Sequence, residues 1–251
     1  MDSDIKLKLL FGKPINIGIC KIYPLTIEEI VEMGEQLYNQ YLGILLYDVD
    51  LLDINKKMLE EMQIDKFTTY HFLLMQSYKD EEFKNLVIKA FECFIKEDIY
   101  YDDKSFTFYL LKENNTIAYP ITFEIYELFK KILIRQNFLE ELEEEEELIF
   151  GNEIAKKWYL DMKKKEKNKP KPKGNVDLQS IISAVKWHSK KSKQEILDMT
   201  IYELWDGYYR LSVIDNCNNL AQGIYHGTID AKKIKDNELN WGKIIKFDKN
   251  N

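Results

Sequence analysis

Thirteen consecutive residues, Lys163-Lys164-Lys165-Glu166-Lys167-Asn168-Lys169-Pro170-Lys171-Pro172-Lys173-Gly174-Asn175, contain no apolar side chain. Such a stretch has nothing to bury, its like charges repel, and its prolines oppose a helix. It is expected to be an extended, mobile linker, so the fold has to be built on either side of it. The organisation this implies is an acidic helical domain over residues 1–160, a flexible basic linker over 161–176 and a small helical domain over 177–251. Charge follows the same division. The net is -14 through residue 150, +6 from 151 to 176 and +1 beyond, within a whole-chain charge of -7.

The chain of 251 residues is 45% apolar, enough for a sizeable core. Its 10 Gly and 5 Pro are few for a turn-rich all-β fold. The expected class is mainly α, with one or two small β-hairpins in the N-terminal domain and an all-α C-terminal domain. The stretch Ile15-Asn16-Ile17 suggests a short strand pair. Thr26 and Glu29 are spaced as a capping box, and Ile27, Ile30, Gly34, Leu37, Tyr41 and Leu45 continue one helical stripe. Asp80-Glu81-Glu82 opens a second helix that buries Phe83, Leu86, Val87, Ala90, Phe91 and Phe94.

A hairpin is expected over 105–119, turning at Lys112-Glu113-Asn114-Asn115. Thr122 then caps a long helix with the stripe Ile125, Leu128, Phe129, Ile132, Leu139 and Leu142, running into the acidic block Glu140–Glu147. Beyond the linker, Asp177 caps a helix with Leu178, Ile181, Ile182 and Val185. Two more capping boxes, Ser192/Glu195 and Thr200/Glu203, start a short helix and a long one ending near Gly223 or Gly227. Leu25-Thr26-Ile27-Glu28-Glu29-Ile30 returns loosely as Met199-Thr200-Ile201-Tyr202-Glu203-Leu204. The likeness is read as shared capping chemistry, because nothing else repeats with it.

Reactive residues are scarce. Cys20, Cys93 and Cys217 and the histidines His71, His188 and His226 lack zinc or disulfide spacing. His188, beside Trp187, precedes Lys190, Lys191 and Lys193; with basic residues nearest it and no partner for a general base, it is read as a surface histidine on the polar end of a helix. Asp48, Asp50 and Asp53 lie close together, and Asp102-Asp103-Lys104 has the composition of a metal-dependent nuclease motif. The distal Glu of a calcium loop and the Glu-x-Lys of a nuclease strand are both missing, so solvated acids are the favoured reading. A metal-dependent nuclease using Asp48, Asp50 or Asp102 is the enzymatic alternative. No cofactor and no metal is expected, and the chain is read as a non-enzyme.

Arg135 and Arg210 are the only arginines, which argues against a nucleic-acid reader. No run of about 18 apolar residues is present to span a bilayer, and the acidic start differs from a signal peptide. A cytoplasmic location is expected, that of the host cell if the protein is viral. What remains is surface. Trp205, Tyr208 and Tyr209, with Tyr202, crowd the long C-terminal helix, and Trp241 follows in a last short segment able to dock an aromatic on the helices. Core packing against Trp187 and Trp241 accounts for about half of these aromatics, and the remainder form a candidate protein-binding patch at Trp205, Tyr208, Tyr209 and Trp241.

Three features together resemble the tail assembly chaperones of long-tailed bacteriophages infecting low-GC Gram-positive bacteria. They are Ile15-Asn16-Ile17-Gly18-Ile19 leading into Tyr23-Pro24-Leu25-Thr26-Ile27-Glu28-Glu29-Ile30, the Lys/Pro middle, and a helical tail. That tail carries Thr200-Ile201-Tyr202-Glu203-Leu204 and Tyr208-Tyr209-Arg210-Leu211 and closes at Asn240-Trp241. The resemblance implies a non-virion adaptor that keeps the tape-measure protein soluble and recruits tail-tube subunits. It also implies a programmed frameshift at the linker, where Lys163-Lys164-Lys165 would lie. A structural tail or connector component is the competing expectation.

Overall fold

A computed structural model describes residues 2–49, 67–112, 117–139, 177–235 and 238–243. The described residues are mainly helical, with two small antiparallel sheets. The linker, the acidic block Glu140–Glu147, Leu142, Asp50 and Asp53 lie outside them.

Helix α1 (Asp2–Leu10) precedes a two-stranded ribbon, β1 (Ile15–Asn16) and β2 (Lys21–Ile22), paired Ile15 to Ile22. The sequence pattern anticipates the ribbon but not α1, whose alternation of Lys and Leu has no clear amphipathic stripe. Among the described side chains of α1, only Leu9 is buried.

The single helix expected from Thr26 onward is two helices, α2 (Ile27–Met33) and α3 (Glu35–Leu45). Gly34 breaks them apart at φ 88° and ψ 138°, a conformation that costs glycine little and other residues much. The break changes which side chains face inward: Tyr38, Tyr41, Leu42 and Leu45 are buried in α3, while Leu37 is only half-buried. Helices α4 (Thr69–Lys79) and α5 (Glu81–Ile95) follow. Asp80 caps α5 by accepting from the Glu82 and Phe83 amides, and Val87, Ala90, Phe91, Phe94 and Ile95 are buried. The unanticipated α4 rests on Tyr70 and Leu73, and the Tyr70 hydroxyl donates to the Ile121 carbonyl at 2.6 Å.

The predicted hairpin is part of a three-stranded meander of β3 (Ile99–Asp102), β4 (Thr107–Lys112) and β5 (Ile117–Pro120). Ile99 opposes Leu110, and Leu110 opposes Tyr119, so one face buries Ile99, Tyr101, Phe108 and Leu110. Pro120 is tolerated because β5 is an edge strand, where a missing donor breaks no ladder bond.

Helix α6 (Phe123–Gln136) is capped by Thr122 as expected but ends before the acidic block. Asn137 forms its C-cap, donating its side-chain amide to the Leu133 carbonyl at 2.7 Å and accepting from the Tyr38 hydroxyl. Its buried stripe is Tyr126, Phe129, Ile132 and Leu133. Leu128 and Leu139, placed on the apolar face by the sequence pattern, are exposed. Tyr126 wins the inward position because its ring packs on Phe91 and Tyr70 while its hydroxyl reaches the Leu45 carbonyl at 2.6 Å.

Beyond the linker come α7 (Leu178–Ser189), α8 (Lys193–Leu197) and α9 (Ile201–Tyr225), with the predicted caps Asp177, Ser192 and Thr200 all engaged. Ile181, Val185, Ile196, Ile201 and Leu204 join the same continuous core as Ile27, Ile30 and Leu9. The described parts of the two expected modules therefore pack together: α9 lies against α7, α1 and α6, and α8 against α2. After α9 the chain reverses at Gly227 (φ 72°) and passes through a short 3-10 turn at Ala231–Lys233.

Candidate functional site

Trp205, Tyr208 and Tyr209 come from successive turns of α9 and form one cluster. The Trp205 and Tyr209 rings stack at 5.7 Å, and Tyr208 meets both edge-on at 6.2 and 5.5 Å. Phe138, just past α6, extends the cluster by packing on Tyr202 at 4.4 Å and on Tyr209 at 6.1 Å. All three patch residues are half-buried. The cluster thus joins α9 to the end of α6 through Phe138.

Trp241 behaves differently from its expectation. Its ring is 64% exposed, and its main-chain carbonyl, not its indole, docks on α9. Arg210 makes that contact, donating from one guanidinium nitrogen to the Trp241 and Lys243 carbonyls at 2.8 Å each. Trp187, expected to pack in the core, is 78% exposed on α7, and Tyr225 is 86% exposed at the end of α9. Sequence periodicity marks such aromatics as core candidates and has no means to show that their partners are elsewhere.

Of the acids of the nuclease reading, Asp102 has structural work and Asp50 lies outside the described residues. Asp102 closes the β3–β4 turn, accepting from the Ser105 hydroxyl at 2.7 Å and from the Lys104 and Ser105 amides at 3.2 Å. The Ser105 hydrogen bond in particular holds the Asp102 carboxyl below the usual range. Asp48 lies just past α3. Among the described residues, no group of three or more His, Cys, Asp or Glu side chains comes together to hold a metal ion.

His188 has a partner that sequence neighbours did not reveal. Its Nε2 lies 3.0 Å from the Asp215 carboxylate across α7 and α9, at an exposed position. His226 is exposed at the α9 terminus. His71 accepts at Nδ1 from the Thr68 amide at 3.2 Å, completing the N-terminal turn of α4, and burial lowers its pKa. Burial pushes the Cys20 and Cys93 thiols up to about 11, which makes them poor nucleophiles at neutral pH. Among the described residues, no helix is long and apolar enough to cross a membrane.

No curated protein and no solved structure matches the chain. Residues 163–246, a third of the length, match the family model described as the YomV second domain, a phage-derived family of Bacillus phage. The match begins in the Lys-rich linker and takes in α7, α8, α9 and the aromatic surface, so that part of the chain is similar to a phage protein domain.

Proposed function

We propose that the protein is a non-enzymatic assembly factor of a long-tailed phage, binding the tape-measure protein and recruiting tail-tube subunits. The observation that carries the reading is the aromatic surface of the segment with the phage-derived match: Trp187, Tyr225 and Trp241 stand largely in solvent. Large aromatics left in solvent cost hydration, and they are enriched where proteins meet. Trp205, Tyr208 and Tyr209 add a half-buried stacked cluster on α9.

The supporting physics is simple. An excess of acid through residue 150 keeps the assembly soluble while the aromatic face of 177–243 takes an apolar helical segment. The resemblance in layout to tail assembly chaperones agrees with the phage-derived match at the C-terminal end.

Co-expression with the tape-measure protein tests the proposal. Increased solubility of the tape-measure protein and its co-purification are expected, with both reduced by Trp187→Ala/Trp241→Ala. Unchanged solubility together with no co-purification sinks it. Mass spectrometry of purified virions separates the structural-component reading, since an assembly factor of this kind is absent from the finished particle.

A further inference from the structure

Residues 186–195 turn the corner from α7 into α8 and carry Lys186, Lys190, Lys191 and Lys193 against one carboxylate, Glu195. Their net charge is +3 with His188 neutral, in a chain whose net is -7. Lys190, Lys191 and Lys193 are exposed, and Lys186 is half-buried. Among them stands Trp187, 78% exposed, with the Lys186 ammonium 5.9 Å from its ring centre.

Helix capping explains part of this charge. The C-terminus of α7 carries about half a negative charge, which one cation offsets. Lys190 occupies the C-cap itself at φ 57°, a left-handed backbone that glycine adopts at less cost. Lys193 opens α8, where a helix start favours carboxylates over cations. Two carboxylates at this corner are engaged elsewhere: Glu195 accepts from the Ser192 amide and hydroxyl at 2.8 and 2.7 Å, and Asp215 of α9 lies 3.0 Å from His188. Local folding therefore accounts for one or two of the lysines and for none of the exposure of Trp187.

We propose that the Trp187 corner binds an acidic protein segment, whose apolar side chain packs on the exposed indole while its carboxylates meet Lys190, Lys191 and Lys193. The indole supplies the anchor, and the surrounding cations select for charge. Lysine ammoniums are point charges on flexible stems, which suit carboxylates scattered along a peptide. A phosphate backbone is better matched by the planar fork of arginine, and this corner has none. Charge also steers the encounter: residues through 150, with a net of -14, repel an acidic partner, and this corner attracts it. The proposal rests on the reading of Trp187 as part of a protein-binding face and adds the charge of what binds there.

Fluorescence anisotropy with the full-length protein at low salt tests it, using the labelled peptide Glu-Asp-Leu-Phe-Glu-Asp-Leu and its uncharged isostere Gln-Asn-Leu-Phe-Gln-Asn-Leu. The acidic peptide is expected to bind at least roughly tenfold more tightly than the isostere, and to lose that advantage as salt is raised. Trp187→Ala is expected to weaken both peptides, and Lys191→Glu/Lys193→Glu the acidic one alone by at least roughly tenfold. Lys190→Gly removes a cation where the backbone already suits glycine, so its loss of affinity is read on a native fold. The peptides do not measure co-purification with the tape-measure protein, so the two proposals fail separately. Acidic and uncharged peptides of equal affinity, no binding of the acidic peptide, or affinity unchanged in the variants overturns the proposal. Tighter binding of a labelled oligodeoxythymidylate, lost in the same variants, overturns it in favour of nucleic acid.

Discussion

Thr26 and Thr200 face each other across an antiparallel bridge, each the N-cap of its own helix. The Ile27 amide donates to the Met199 carbonyl and the Ile201 amide donates to the Leu25 carbonyl, both at 2.8 Å. The first amide of a helix has no partner inside it, so each helix start satisfies the orphan donor of the other. Two positive helix ends meet here, and the capping-box carboxylates Glu29 and Glu203 sit beside them to offset the repulsion. Burial disfavours the Glu29 charge, yet hydrogen bonds from Lys96 and Thr26 outweigh that and keep its pKa low. The two similar hexapeptides are thus paired in space.

Removing either cap hydroxyl, by Thr26→Ala or Thr200→Ala, is expected to cost about 1 kcal/mol in urea denaturation. Because the two turns touch, the double variant should depart from additivity by about 0.5 kcal/mol or more. Additive losses would mean the turns are energetically separate despite their contact.

Three of the four tryptophans, Trp187, Trp205 and Trp241, lie beyond the linker, and a Trp158→Phe protein keeps only these. Its tryptophan fluorescence therefore follows that part, while far-UV circular dichroism follows all the helices. Since Ile201 and Leu204 share one core with Ile27 and Ile30, the two signals are expected to change together in urea. Separate midpoints would show that the shared core does not couple the two parts.

Two glycines in neighbouring positions of the fold should respond oppositely to alanine. Gly43 is an exposed site inside α3 with open space around it, so Gly43→Ala is expected to stabilise by up to about 1 kcal/mol. Gly34 sits at φ 88°, so Gly34→Ala is expected to destabilise by about 1 kcal/mol or more. Thermal or urea unfolding of both variants checks the contrast.

His71 links stability to pH through its neutral form. Its Nδ1 must stay unprotonated to accept from the Thr68 amide, and its ring lies between Phe67, Tyr70 and Phe123. Burial lowers its folded pKa below the unfolded value of about 6.5, so the unfolded chain binds the proton first. Its contribution is full above that value and is lost as pH falls from there through the lower folded pKa. His71→Gln keeps an acceptor at the same capping position and should flatten the fall in urea midpoint between pH 7 and pH 5. An equally steep fall in His71→Gln would assign the pH dependence to other groups.

The caps and the class of fold were legible because they are local. Thr26, Asp80, Thr122, Asp177, Ser192 and Thr200 each act on an amide two or three residues away, and all six engage as their spacing predicts. Burial was most legible where one helix face had no competitor, as in α5, which buries Val87, Ala90, Phe91 and Phe94 as expected and leaves Phe83 and Leu86 half-buried. In α6 the pattern chose Leu128 over Tyr126, because hydropathy cannot see the Leu45 carbonyl waiting for a hydroxyl. Gly34 read as a member of a stripe, since its left-handed backbone is a property of the packed chain.

What the sequence by itself determined is the six helix starts capped by Thr26, Asp80, Thr122, Asp177, Ser192 and Thr200, the strand pair and hairpin, and the scarcity of residues able to do chemistry. Those follow from hydrogen bonds and periodicities that span a few residues. Tertiary structure alone decided that two like hexapeptides meet, that His188 faces Asp215, and that Trp241 is held by its carbonyl while its ring stays in water. Each of these joins groups far apart in the chain, and their pairing depends on which surfaces the shared core brings together.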